Sequence, residues 1–251
     1  NAQFFYLKQG GIYAWVKQLA HQVHNPIYTN CAVTEIDVAR KKITFANGHT
    51  QTYNTLITTM PLNMLLSCLK STPDMHLETA RKKLRCNKVI NFNLGIKRPN
   101  LSDKHWIYYP EKKFPFYRIG FTHNFSAQMT PDGCSSLYGE FSYLDDNEKT
   151  INQKLETSLT QTKKLFNLSD YEIATECIIR IPHAYVIFDQ WRDAHLPELL
   201  TLLEAHDIYS VGRYGAWKYA SMQEGLFDVK EFVERLMPGL PKQSAPHKEL
   251  R

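Results

Sequence analysis

The stretch Ile208-Tyr-Ser-Val-Gly-Arg-Tyr-Gly-Ala-Trp217 carries the strongest indication of the fold. Its first residues favour extended backbone and predict a short strand, Ile208-Tyr-Ser-Val211, which is followed by the turn at Gly212. Apolar residues at helical spacing between Leu226 and Leu236 predict an amphipathic helix after it. A strand, a glycine turn and a helix in this order form a candidate phosphate-binding unit, because backbone N–H groups there can point at an anion.

Arg213 adds a positive charge to this turn. An arginine fork can meet a pyrophosphate in a bidentate way, while the neighbouring Gly212 lets the backbone approach closely. The motif is short, so a turn without any ligand explains it equally well.

Upstream, the chain is predicted to pass from one helix into a small meander. Gly10-Gly11 precedes a helical apolar pattern that ends before Asn25-Pro26, and the glycines either start this helix or bring backbone close to a cofactor. Strands are predicted at 33–38, 42–45 and 50–58, with Asn47-Gly48 as a tight hairpin turn. Residues 61–85 are predicted to be mostly helical.

The middle of the chain is rich in strands. Alternating aromatic and branched residues predict strands at 88–96, 105–109, 115–122, 135–143 and 173–187, which suggests an antiparallel sheet. A helix through Ile151 to Phe166, started by a capping box of Asp145 and Glu148, is expected to cover one sheet face. Another helix is predicted around 196–206. This region therefore has α+β character.

Composition excludes several classes of protein. The 251 residues are 43% hydrophobic and 12% aromatic, which is enough for a real core. The net charge of +5 comes from 30 basic and 25 acidic residues spread along the chain, a mild bias toward anionic ligands and no nucleic-acid footprint. Five single cysteines indicate a cytoplasmic protein rather than a secreted one, and no apolar run reaches the roughly 18 residues of a membrane span.

Common catalytic signatures are absent from the sequence. It contains no GxSxG, HExxH, P-loop or GxGxxG motif, which disfavours hydrolases and NTPases, and it leaves the catalytic residues unassigned. His21 and His24 share a predicted helix, but without a third ligand they are interpreted as surface residues and no metal site is predicted.

Two segments are unusually aromatic: Trp106-Ile-Tyr-Tyr-Pro-Glu111 and Phe114-Pro-Phe-Tyr-Arg118. Together with Tyr185 and Tyr219 they offer hydroxyls and a guanidinium that suit a diphosphate beside a stacked ring. The alternative is that strands simply favour Tyr and Phe.

Four segments occur in an order that resembles the UDP-galactopyranose mutases, especially the eukaryotic-type branch, within the amine oxidase and protoporphyrinogen oxidase group of flavoproteins. These segments are Thr58-Thr-Met-Pro-Leu62, Trp106-Ile-Tyr-Tyr-Pro-Glu111, Pro115-Phe-Tyr-Arg118 and Gly212-Arg-Tyr-Gly-Ala-Trp-Lys-Tyr219. The resemblance runs from about residue 4 to 236. It implies an FAD domain built from an N-terminal Rossmann half, a meander and a C-terminal strand, turn and helix, of which this chain holds only the last two.

The fold class that follows is α/β, an incomplete FAD-binding domain remnant with an antiparallel substrate domain and covering helices. The expected division is a remnant at 3–65 and 207–236, a substrate domain at 66–206 and a flexible tail at 237–251. The chain opens with Asn1-Ala2 and no Met, so we expect a natural protein cut deliberately. FAD is then expected in the full-length protein and not in this fragment.

The resemblance also implies roles for single residues. Val33 would contact the adenine of FAD through its backbone, and Gly212 and Arg213 would lie near the pyrophosphate. Arg118 would grip the diphosphate of a UDP-sugar and face the same cleft as Tyr108 from a neighbouring strand. The hydroxyls of Tyr108, Tyr185 and Tyr219 would hydrogen-bond that diphosphate. In these mutases reduced flavin acts as a nucleophile at the sugar, and the isomerisation involves no net oxidation.

Two departures leave the substrate open. The segment 220–224 stands where eukaryotic mutases carry a longer stretch with an asparagine, and 184–189 lacks the expected prolines. A protoporphyrinogen oxidase-like or amine oxidase-like enzyme is the second hypothesis, and a flavin-free binding module is the third.

Overall fold

The computed structural model describes residues 5–70 and 77–238. They form two compact units. We call residues 5–30 with 86–185 the sheet unit, and residues 31–70 and 77–85 with 186–238 the meander unit. The predicted domain division differs from this grouping and stays a prediction. Beyond position 238, the predicted flexible tail lies outside the described residues.

The elements follow one another as predicted for most of the chain. The helices are α1 Gly11–His21, α2 Leu62–Cys68, α3 Leu77–Lys83, α4 Glu148–Leu165, α5 Gln190–Glu204, α6 Gly212–Gly215 and α7 Met222–Leu236, with 3-10 turns at Thr122–Asn124, Ala127–Met129 and Asp170–Glu172. The strands are β1 Val33–Asp37, β2 Lys42–Phe45, β3 Thr50–Thr52, β4 Leu56–Thr58, β5 Leu69–Lys70, β6 Cys86–Ile96, β7 Trp106–Tyr108, β8 Arg118–Gly120, β9 Ser135–Tyr143, β10 Ile173–Val186 and β11 Ile208–Ser210. The α/β fold class is confirmed.

The sheet unit is built on a five-stranded sheet of order β10-β6-β9-β8-β7. The β6/β9, β9/β8 and β8/β7 pairs are antiparallel, as predicted. Alternate residues of these strands, among them Phe92, Ile119 and Phe141, are buried in one apolar cluster. Ile151 of α4 belongs to the same cluster, so this helix covers that face of the sheet.

Two helix starts differ from the prediction. Asn147 caps α4 by accepting a hydrogen bond from the Thr150 N–H at 3.0 Å, so the predicted box of Asp145 and Glu148 is wrong. Helix α5 starts well before residue 196, because Asp189 accepts from the Arg192 N–H at 2.9 Å and caps it.

The meander unit contains two small sheets. One has the order β3-β2-β1-β5, with β2 antiparallel to both neighbours and β5 parallel to β1. The other pairs β11 and β4 in parallel. The single strand predicted at 50–58 is therefore wrong: the Tyr53 N–H donates to Lys41 at the end of the meander, and the Leu56 N–H donates to Asp207 at the start of the parallel pair. Gly48, at φ 81°, supplies the predicted hairpin turn.

Helix α1 has the predicted position but an unexpected environment. None of its residues is buried, and its apolar side chains Ile12, Val16 and Leu19 are 46%, 43% and 43% exposed.

Among the described residues, the helices are too short or too polar for a membrane span.

Candidate functional site

A row of four polar side chains crosses the sheet unit. Tyr108 lies directly opposite Arg118, Arg118 opposite Glu140, and Glu140 opposite Asn91. Directly opposed residues project from the same face of a sheet. Because the alternating residues between them join the apolar cluster under α4, this polar row lies on the other face.

Glu140 is the centre of the row. Its Oε2 accepts from Arg118 Nη2 at 2.6 Å and from Arg118 Nε at 3.1 Å. Tyr117 donates its hydroxyl to the same oxygen at 2.9 Å, and Asn91 donates to Oε1 at 3.1 Å. Glu140 is only 8% exposed. These four donor atoms therefore offset the free-energy cost of burying its negative charge.

Aromatic rings enclose the guanidinium of Arg118. Its central carbon lies 6.0 Å from the centroid of the Tyr108 ring and 5.8 Å from that of Tyr138. Tyr138 of β9 lies directly opposite Gly120 of β8. A Cβ at Gly120 would come within 2.2 Å of the Tyr138 ring. The Tyr138 ring therefore lies across Gly120, where a larger residue would displace it.

The pKa values of Tyr117, Tyr138 and Arg118 are all raised in the folded protein. Burial, together with the nearby Glu140 carboxylate, raises the pKa of Tyr117 well above its usual range. Burial also raises the pKa of Tyr138, against the opposing effect of Arg118. For Arg118 burial alone would lower the pKa, but Glu140 reverses this and the pKa is raised. Arg118 is thus a permanent cation and Tyr117 a permanent donor.

Tyr185 lies at the end of β10 in the same unit. Its backbone N–H donates to Asn87 Oδ1 at 2.9 Å. Tyr185 is also one of the smaller causes of the raised pKa values of Tyr117 and Tyr138. The sheet unit thus contains Tyr108, Arg118 and Tyr185, three of the residues predicted to bind substrate.

The other predicted site residues belong to the meander unit. Val33 begins β1, and Gly212 follows β11. Arg213 donates from Nη1 to the Ala220 carbonyl at 3.0 Å, and its guanidinium carbon lies 4.8 Å from the centroid of the Tyr219 ring. Tyr219 is 61% exposed.

The turn at Gly212 fits contact with a pyrophosphate. Gly212 has φ 75°, a conformation that favours glycine, and a Cβ there would have only Thr59 nearby, at 3.9 Å. It follows the carboxyl end of a strand in a parallel pair, which is where open α/β sheets bind ligands. The helix that follows, α6, has only four residues, so this turn offers few donors for a whole dinucleotide.

Sequence reasoning missed Glu140, Asn91 and Tyr138, and it quoted Tyr117 in an aromatic segment without giving it a role. One signal was available for Glu140: an acidic residue in the interior of the strand predicted at 135–143 needs a partner if it is buried.

His21 and His24, interpreted as surface residues, are both exposed. In the described ranges, no three or more His, Cys, Asp or Glu side chains are placed to hold a metal ion.

Known structures resemble this chain over nearly its whole length. A reduced UDP-galactopyranose mutase matches with a TM-score of 0.79 and 25% identity over 94% of this chain and 54% of that one. The chain shares the fold of a UDP-galactopyranose mutase. The resemblance predicted from the sequence is therefore confirmed at the level of fold. No protein-family model matches the chain.

Two further matches show the same fold in proteins named as oxidases. A putative protoporphyrinogen oxidase from Exiguobacterium sp. 255-15 has a TM-score of 0.66 and 13% identity over 90% of this chain and 51% of that one. A redesigned putrescine oxidase has a TM-score of 0.66 and 11% identity over 91% and 53%. This chain thus spans about half the length of the mutase and of both oxidases.

Proposed function

We propose that this chain is the C-terminal part of an FAD-dependent enzyme that acts on a UDP-sugar in the manner of a UDP-galactopyranose mutase. The observation that carries the proposal is the pairing of Arg118 with Tyr108 on the polar face of the sheet unit. The mutase fold supports it independently, at 25% identity. A cytoplasmic location is part of the same proposal.

The chemistry of the polar row suits a diphosphate. Nε and Nη2 of Arg118 are turned toward Glu140, so Nη1 points away from that carboxylate. The central carbon of the guanidinium lies 6.0 Å from the centroid of the Tyr108 ring. A fixed cation with a hydroxyl beside it stabilises the charge that gathers on a leaving diphosphate.

The remaining residues complete the proposal. The hydroxyls of Tyr185 and Tyr219 would add hydrogen bonds to the diphosphate. Val33, Gly212 and Arg213 would contact FAD, which supplies the nucleophile of the reaction when it is bound. The donors that hold most of the cofactor would come from an N-terminal half of the full-length protein.

Calorimetric titration of UDP into the full-length protein tests this function. An enzyme that acts on a UDP-sugar should bind UDP, whereas an oxidase of porphyrinogens or amines has no use for a nucleotide diphosphate. We expect saturable heat from UDP and competition by UDP-sugars. No heat and no competition at millimolar UDP would instead favour the oxidase-like hypothesis.

A further inference from the structure

We propose that Glu140 is a positioning residue that holds the Arg118 guanidinium in the orientation needed to bind an anionic diphosphate. The proposal rests on the function proposed above. Glu140 would touch neither sugar nor flavin, and it would act only through Arg118.

The carboxylate is itself held firmly. Tyr117 and Arg118 bind Oε2, and Asn91 binds Oε1 from the neighbouring strand. Asn91 in turn accepts at Oδ1 from Asn93 Nδ2 at 2.6 Å. Glu140 is therefore fixed from both adjacent strands, and its side chain is 11% exposed.

Arg118 takes its orientation from this anchor. Both of its contacts with Glu140 reach one oxygen, at 2.6 and 3.1 Å, which fixes the plane of the fork. Its side chain is still 22% exposed, so a ligand can approach. A group that is ordered before binding loses less conformational entropy when the ligand arrives.

The direction in which ligand affinity changes when the Glu140 charge is removed distinguishes a positioning role from simple electrostatic repulsion of the ligand. A carboxylate close to an anion site repels the ligand, so its removal should tighten binding if charge alone matters. If orientation matters more, the same removal weakens binding. Glu140→Gln removes the charge at nearly constant size and thus gives opposite results for the two cases.

The experiment is a UDP titration of the full-length protein and its Glu140→Gln variant. We expect UDP affinity to fall by about tenfold, which corresponds to about 1.4 kcal/mol. Glu156→Gln is the matched control, because Glu156 is exposed on α4, the helix that covers the opposite sheet face. Its UDP affinity should equal that of the wild type. Unchanged or tighter binding in Glu140→Gln would overturn the positioning role.

A double-mutant cycle shows whether Glu140 acts through Arg118. In an Arg118→Lys background, Glu140→Gln should weaken UDP binding by less than about twofold, because coupled residues are not additive. A full additional tenfold loss would contradict the proposal. If Glu140→Gln unfolds, Tyr117→Phe removes one bond to the same oxygen and should reduce UDP affinity about threefold, a loss of roughly 0.6 kcal/mol. Unchanged affinity there would again overturn the role.

The two proposals fail in different ways. A wild-type protein that binds no UDP would overturn the proposed function and the role of Glu140 with it. A wild-type protein that binds UDP, with a Glu140→Gln variant that binds it equally well, would overturn only the positioning role.

Discussion

Arg118 is anchored to a buried carboxylate and is still partly exposed. Lysine at this position would keep the charge and could keep one contact with Glu140. It would lose the planar fork that binds a diphosphate and a carboxylate at once. Arg118 is therefore the residue at which charge and geometry can be separated by substitution.

If the proposed function holds, Arg118→Lys should reduce UDP affinity or turnover of the full-length protein by about ten- to a hundredfold. This corresponds to roughly 1.5–3 kcal/mol, the range for hydrogen bonds to charged groups. Thermal unfolding is the control and should change little. Wild-type turnover and affinity would mean that the aromatic cluster serves only sheet packing.

Tyr117 predicts how stability depends on alkaline pH. The folded-state pKa of Tyr117 is raised, first by burial and then by Glu140, while an unfolded tyrosine ionises near a pKa of about 10. Its contribution to stability is therefore complete below about pH 10 and is lost as the pH rises toward the folded-state pKa. Tyr117→Phe should make the fall in the free energy of unfolding above about pH 10 less steep. Urea unfolding at several alkaline pH values measures this, and equal slopes would contradict it.

The placement of these residues could be predicted only in part from the sequence. Arg118 and Tyr108 stand in recognisable aromatic segments, and the structure places them opposite each other as expected. Glu140 and Asn91 lie on strands distant in sequence, and their meeting depends on the register of three strands. Local patterns do not contain that long-range information.

At the scale of elements, period-two alternation predicted the five strands of the sheet unit because each strand has one apolar face. The sequence pattern did not predict that the segment 50–58 is divided into β3 and β4. The division arises because β3 pairs with β2 in one sheet, whereas β4 pairs with β11 in another. The start of α5 was missed because its cap, Asp189, lies far before the apolar residues that suggested the helix.

Two glycines in different elements should respond oppositely to alanine. A Cβ at Gly139 of β9 would come within 2.0 Å of the Phe92 ring, which is fully buried, so Gly139→Ala should destabilise the sheet unit by about 1–3 kcal/mol. Gly225 lies inside α7 with nothing within 4 Å of an added Cβ. Gly225→Ala should stabilise by about 0.5–1 kcal/mol. Urea unfolding measures both changes, and a neutral Gly139→Ala would contradict the packing described for the sheet.

At the scale of the whole molecule, the predicted resemblance was sufficient to identify the fold. The order of four short segments indicated a mutase-like flavoprotein, and the mutase match covers 94% of the chain. The same match covers only 54% of the mutase. The sequence could not give the substrate, because the departures at 184–189 and 220–224 fall in segments expected near the ligand.

The flavin content of the purified 251-residue chain and of the purified full-length protein shows whether this chain lacks most of the donors that would hold FAD. Under the proposed function, most of the glycines and the helix N-terminus that hold the pyrophosphate would come from an N-terminal half of the full-length protein. We therefore expect the full-length protein to show a flavin absorption band at about one FAD per chain, and the 251-residue chain to be colourless. A yellow 251-residue chain with near-equimolar flavin, or a full-length protein without flavin, would contradict the account.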